Sequence, residues 1–238
     1  MALKGRPVAP PCAVTGYVVS YLVMDYKIAA SILNANFLHL KDDIDAVIPH
    51  VDEIHLDIID GVFADNISFG PPVLENIRAT YPDAVLDTHM MLMRPELFWK
   101  AFHQLGSTFI TFHYEVTPHS YIILKQMKDA GVKTGMALTP ATDCTALEAI
   151  KDFIDRVLIL TVEPGFGGQD MIPHMLTKVE RTRKMFGDRV DIEVDGGIND
   201  TTIRSAKDAG ANVFVIGSYI FKAEDKKARV KTLRDQLT

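Results

Sequence analysis

The sequence predicts one (β/α)8 barrel, the TIM-barrel class of α/β fold, over residues 27–238. Three observations lead there. Short apolar runs alternate with longer amphipathic ones eight times from Lys27 to the end, and strict strand–helix alternation builds a parallel sheet. Eight such units are the number that closes a barrel. Histidines, aspartates and glycine-rich turns gather just after the apolar runs, the end at which this fold carries its chemistry. An open doubly wound sheet is the alternative, but no G-x-G-x-x-G follows the first strand.

Each unit has its own signal. Lys27–Leu33 reads as the first strand and Phe37–Val47 as its helix. Glu53–Ile58 is the second strand, and prolines open the helix Pro72–Thr80, as the first helical turn tolerates. Ala84–His89 and a helix from Pro95 to Leu105 make the third unit. Thr108–His113 and a helix from Pro118 make the fourth, with Gly131 as its C-terminal stop. Val132–Leu138 precedes a helix over Thr145–Asp152, and Arg156–Val162 precedes one over Pro173–Met185. Val190–Asp195 leads to a helix over Asp200–Ala209 that Gly210 ends. Asn212–Gly217 and the helix Glu224–Gln236 complete the set.

Residues 1–26 differ. Lys4 and Arg6 precede three prolines and an apolar run from Val18 to Met24. A signal peptide would need a small-residue cleavage site, and Ile28-Ala29-Ala30 lies inside the first strand. The segment therefore reads as a poorly ordered N-terminal extension. The bulk numbers exclude other classes. A net charge of −6 does not suggest a nucleic-acid surface. No apolar run reaches the roughly 18 residues of a membrane span. Cys12 and Cys144 form neither a disulfide framework nor a zinc spacing, so a reducing, cytoplasmic setting is expected.

The strand ends carry the chemistry. Strand one ends near Ser31 and Asn34, strand two in His55-x-Asp57, strand three in Asp87-x-His89, and strand four in His113-Tyr114-Glu115. Strand seven ends in Glu193-x-Asp195. Residues two apart on a strand share a face, so His55 and Asp57 project together. Two histidines and two aspartates at one barrel mouth make a mixed nitrogen–oxygen set for a divalent metal such as zinc, iron, cobalt or manganese. The late loops carry glycine: Gly165-Phe166-Gly167-Gly168, Gly196-Gly197 and Gly217-Ser218. Glycine lets backbone N–H groups approach an anion closely, and barrels often bind phosphate after strands seven and eight.

These residues resemble the ribulose-phosphate 3-epimerase family. The matching pieces are Ala30–Leu33, His55–Gly61, Asn66–Pro72, Asp87–Met91, Thr161–Gln169, Glu193–Asn199 and Gly217-Ser218, in order along the chain. The resemblance implies a ribulose-phosphate-binding barrel that interconverts D-ribulose 5-phosphate and D-xylulose 5-phosphate in the pentose phosphate pathway, with one divalent metal ion and a homo-oligomeric assembly. Carried over by motif, His55, Asp57, His89 and Asp195 would hold the metal. Asp57 and Asp195 would be the acid/base pair. Ser31 and His89 would contact substrate, with Gly165, Phe166, Gly167, Gly168, Gly196, Gly197, Gly217 and Ser218 around its phosphate end. The chain departs from the family pattern at Ala29 or Ala30, Asn36, Ile59, Val62, Asp65 and Leu160. Ile59 and Leu160 stand where methionines usually shape an apolar ceiling over the sugar.

The chemistry explains the residue types. Inversion at carbon 3 of a 2-keto sugar removes a proton α to a carbonyl and returns one to the opposite face through a metal-stabilised enediolate. Two carboxylates on well-separated strands suit that task. His113 and Glu115 would orient a ligand or cap their strand; Asp87 and Glu193 would support the ligands or hydrogen-bond within the core. Three rivals remain: an epimerase for another phospho-ketose such as D-allulose 6-phosphate, a phosphosugar lyase or decarboxylase, and a non-catalytic phosphosugar-binding barrel. Lyases of this kind typically show lysine at a strand end, and none of the predicted ends has one.

Overall fold

The structure is a computed structural model that describes residues 24–238. The expectation for residues 1–23 lies outside the described residues. Eight parallel strands close in sequence order: β1 Lys27–Ser31, β2 Glu53–Ile59, β3 Leu86–Met91, β4 Phe109–His113, β5 Lys133–Leu138, β6 Arg156–Leu160, β7 Asp191–Asp195 and β8 Val213–Ile216. β8 pairs back onto β1, with Ala29 opposite Val215. The open-sheet alternative is thereby excluded.

The strands alternate strictly. In β2, Ile54, Leu56 and Ile58 belong to the large core between sheet and helices. Glu53, His55 and Asp57 point the other way, into the barrel, and are buried there. The same parity aims Asp87 and His89 of β3, Arg156 of β6 and Glu193 and Asp195 of β7 at the axis. Apolar filling on that side is confined to small patches, such as Ala29 with Val213 and Val215, and Ala137 with Leu158 and Leu160.

Around the strands lie α1 Leu40–Val47, α2 Pro71–Thr80, α3 Trp99–Gln104, α4 Ser120–Asp129, α5 Met175–Phe186, α6 Ile203–Asp208, α7 Ser218–Phe221 and α8 Lys226–Leu237. The helical expectations need correction at two places. The stretch Cys144–Phe153 winds as a 3-10 helix, not an α-helix. Its buried residues Cys144, Leu147 and Ile150 fall three apart, the period at which 3-10 side chains align on one face. The short α7 was not predicted; it follows β8 at once and sets Ser218 and Lys222 near the barrel mouth. Just ahead of β1, Tyr26 packs against Phe214 and its carbonyl accepts from Arg234 Nη1 at 3.0 Å. Among the described residues no helix is long and apolar enough to cross a membrane.

One interior position allows no side chain. A Cβ at Gly135 on β5 would overlap Thr111 Oγ1 on β4, its neighbour in register. Gly135→Ala is therefore expected to destabilise the barrel by about 1–3 kcal/mol through overpacking. An unchanged urea-unfolding midpoint for this variant would show that β4 and β5 can part without strain.

Candidate active site

A cavity of about 250 Å³ opens at the C-terminal ends of the strands. Asp57 from β2, Asp195 from β7 and Ser31 from β1 line its floor. The loops after β6, β7 and β8 bring Gly165, Phe166, Gly167, Gly168, Gly196, Gly197, Gly217 and Ser218 to its wall. His55 and His89 have no exposed surface and lie beneath Asp57.

Four donors converge on this floor. His55 Nε2 is 3.2 Å and His89 Nδ1 3.1 Å from Asp57 Oδ1. His89 Nδ1 is 3.7 Å from Asp195 Oδ2. One ligand atom from each of His55, Asp57, His89 and Asp195 lies within 4.8 Å of the others, a spread that a single divalent cation can draw together. The surrounding hydrogen bonds fit that use. His55 Nδ1 lies 2.6 Å from Asp87 Oδ2, so its proton is held there and Nε2 is left with a free lone pair. His89 Nε2 is 2.9 Å from His113 Nε2, and His113 Nδ1 is 3.2 Å from Glu115 Oε2. With His113 donating to Glu115, its Nε2 accepts from His89, and His89 Nδ1 is free to bind. Both rings are thus fixed in orientation and tautomer by what their far nitrogens touch. Asp87 contacts His55, and Glu115 contacts His113 while also accepting from the backbone N–H and hydroxyl of Thr139. Glu193 sits 3.6 Å from His55 Nδ1, and both of its oxygens lack a hydrogen-bond partner.

The two floor carboxylates differ electrostatically. Burial raises Asp57, but its interactions with His55 and His89 overcome it and hold the group below the usual carboxylate range. Burial and then the Asp57 charge push Asp195 up to about 6. Burial lowers His113 to about 4, which keeps it neutral as the relay of hydrogen bonds requires. Ser31 Oγ donates to Asp57 Oδ2 at 2.6 Å and fixes that carboxylate's rotation.

The glycine wall is sterically compelled. Gly197 has a φ of +67°, and a Cβ there would overlap the backbone of Met171. Asn34 fills the space that side chains at Gly167 and Gly217 would need, so its amide wedges between the loops after β6 and β8. Asn34 and Lys222 line the cavity, and the motif reading assigned neither a role. Arg156 and Glu53 were missed as well. Arg156 is wholly buried under the floor, with Nη1 and Nη2 on the two Glu53 oxygens at 2.7 and 2.8 Å. A charged residue opening an apolar run, at the parity of the inward-facing side chains, was the available signal.

A family model described as the ribulose-phosphate 3 epimerase family matches residues 27–221. The chain belongs to this family. Ribulose-phosphate 3-epimerase of Bacillus subtilis is 37% identical over 213 residues, covering 87% of this chain and 98% of that one. The Mycobacterium bovis protein of the same name is 39% identical over 212 residues, covering 88% and 92%. That of Rhodobacter capsulatus is 41% identical over 198 residues, covering 82% and 86%. Solved structures share the fold at greater distance. A 3-hexulose-6-phosphate synthase superposes with a TM-score of 0.68 at 20% identity, covering 88% of this chain and 99% of that one. KGPDC from Streptococcus mutans gives 0.69 at 15%, covering 89% and 97%.

Within the family pattern, the two substituted ceiling positions fall differently. Leu160 lines the cavity, with Met91 and Leu33. Ile59 packs behind it against Ala64 and Met91. No described strand ends in lysine; Lys27 and Lys133 open β1 and β5 at the opposite face of the barrel.

Proposed function

We infer that the chain catalyses reversible epimerisation of D-ribulose 5-phosphate to D-xylulose 5-phosphate at carbon 3. The observation that carries this reading is the pairing of Asp57 with Asp195. They come from strands separated by β1 and β8 on the short way round the barrel and meet with His55 and His89 on the cavity floor. Two carboxylates reaching one cavity floor from separate strands can act as base and acid on the two faces of a single carbon. A substrate lying across the floor, with its phosphate toward the glycine loops, presents one face of carbon 3 to each. The ionised carboxylate removes the proton from its face, the protonated one delivers to the other, and the return reaction exchanges their roles. Ser31 keeps Asp57 turned toward the sugar. His55, Asp57, His89 and Asp195 are suited to hold the metal. A divalent cation there would supply positive charge beside the developing oxyanion. Zinc, iron, manganese and cobalt all suit the donor set. On the same reading the chain works as a homo-oligomer in the cytoplasm.

Leu160 and Ile59 favour a second reading in which the preferred sugar is another phospho-ketose such as D-allulose 6-phosphate, because a changed ceiling alters which chain length fits. A coupled assay of both sugars, before and after chelation, tests the two together. Chelation is expected to remove conversion of D-ribulose 5-phosphate and to lower the thermal midpoint. Restoring a divalent ion at about 1,000 times its Kd should return about 4 kcal/mol of stability. Full conversion by chelated protein of unchanged midpoint would sink the metal assignment. Greater catalytic efficiency on the six-carbon sugar would favour the second reading.

A further inference from the structure

We propose that Lys222 is the charge-bearing phosphate ligand of this cavity. The substrate's identity rests on the epimerase reading above; the electrostatic argument does not. The charged side chains on the cavity wall are Asp57, Glu163, Asp170 and Asp195 on one side of the balance and Lys222 alone on the other. A phosphate monoester brings about −1.5 to −2 charges at neutral pH. Backbone N–H groups of the glycine loops offer dipoles but no net charge, and a cation would be held by Asp57 and Asp195 rather than by the glycine loops. The ammonium of Lys222 is the group on this wall that can offset the dianion where it lands.

Its position matches that role. Lys222 follows directly on α7, and its backbone N–H closes onto the carbonyl of Ser218 at 3.1 Å. The side chain returns over the loop after β6. Its Nζ and Ser218 Oγ each lie 3.8 Å from the point where a Cβ on Gly168 would stand. The ammonium and the hydroxyl therefore both stand beside the same glycine of the phosphate-facing wall. Nearby Lys226 is paired with Asp43 at 3.1 Å. Lys222 has no ion pair among the described residues, so binding an anion there breaks no existing bond. A lysine suits the place because its long flexible stem presents a point charge to a phosphate.

A ligand of the phosphate takes no part in the proton exchange at carbon 3, so Lys222 should bind substrate and transition state alike. Loss of such binding raises KM and leaves kcat in place. Lys222→Met is expected to raise KM for D-ribulose 5-phosphate about tenfold with kcat within about twofold. Binding of inorganic phosphate, followed by calorimetry, should weaken by a similar factor and lose much of its salt dependence. Lys222→Arg should restore most of both. The side chain is exposed, so these variants fold. Unchanged KM and unchanged phosphate affinity in Lys222→Met would overturn the proposal. Phosphate binding that needs Lys222 in a protein that fails to epimerise the sugar would support it while refuting the epimerase reading.

Discussion

Asp195→Asn is expected to lower kcat for epimerisation of D-ribulose 5-phosphate by about 10²–10⁴-fold, the usual worth of a positioned acid/base group. Asp57→Asn should do the same. The pair gives a sharper result than either loss alone. With one carboxylate gone, the other can still take a proton from its own face of carbon 3 and return it there. Each variant should therefore exchange the carbon-3 hydrogen with deuterated water from one epimer and not from the other, and the two variants should choose opposite epimers. Conversion would be lost while exchange survives. Asparagine keeps one carbonyl oxygen, so metal content measured on both variants separates a lost proton carrier from a lost ion. Asp57 is more exposed to that second effect, because its Oδ1 is within 3.2 Å of both histidines. Exchange from both epimers in both variants would mean that some other group carries the protons.

Much of this arrangement could be read from the chain, for a physical reason. A parallel barrel buries both faces of every strand, so a histidine or carboxylate on an inward position stands out against an otherwise apolar run. His55-x-Asp57 and Asp87-x-His89 were visible on that ground, and the fold's single chemical face placed them together. Lys222 was not visible. It lies beyond the glycine-serine pair, on a helix of four residues too short to leave a periodic pattern, and only the return of its stem over Gly168 makes it part of the cavity. The helix read over Thr145–Asp152 is present, but its 3-10 winding over Cys144–Phe153 was not visible because an apolar spacing of three is also tolerated at the edge of an α-helical face. Asn34 was seen at a strand end, but its wedge between Gly167 and Gly217 depends on loops more than 130 residues away in sequence.

Arg156 is the case in which neither pattern nor motif could give the consequence, and it carries the largest expected effect on stability. Its guanidinium is fully buried, bidentate on Glu53, 3.2 Å from Asp191 and 3.3 Å from Asp87, and it stacks on Phe109 at 3.7 Å. Burial works against its charge, yet the surrounding carboxylates, Glu193 and Asp87 foremost, hold the proton more tightly than usual. Desolvating four acids and one base is unfavourable, so the cluster stabilises the barrel only while it is whole. Arg156→Met strands Glu53 in the core and should cost about 3–5 kcal/mol, the usual penalty for an orphaned buried charge. Removing both partners, as Glu53→Met with Arg156→Met, should recover most of that loss, because a buried pair replaced by packed apolar groups is often neutral. Asp87 decides how far recovery goes. It keeps its 2.6 Å contact with His55 but loses the guanidinium behind it, so the double variant should regain its unfolding midpoint more fully than its grip on a metal. Urea titrations of the two single variants and the double variant measure the first quantity, and chelator competition measures the second. Equal losses in Arg156→Met and the double variant would show that the guanidinium acts through Asp87 and Asp191, with Glu53 a bystander.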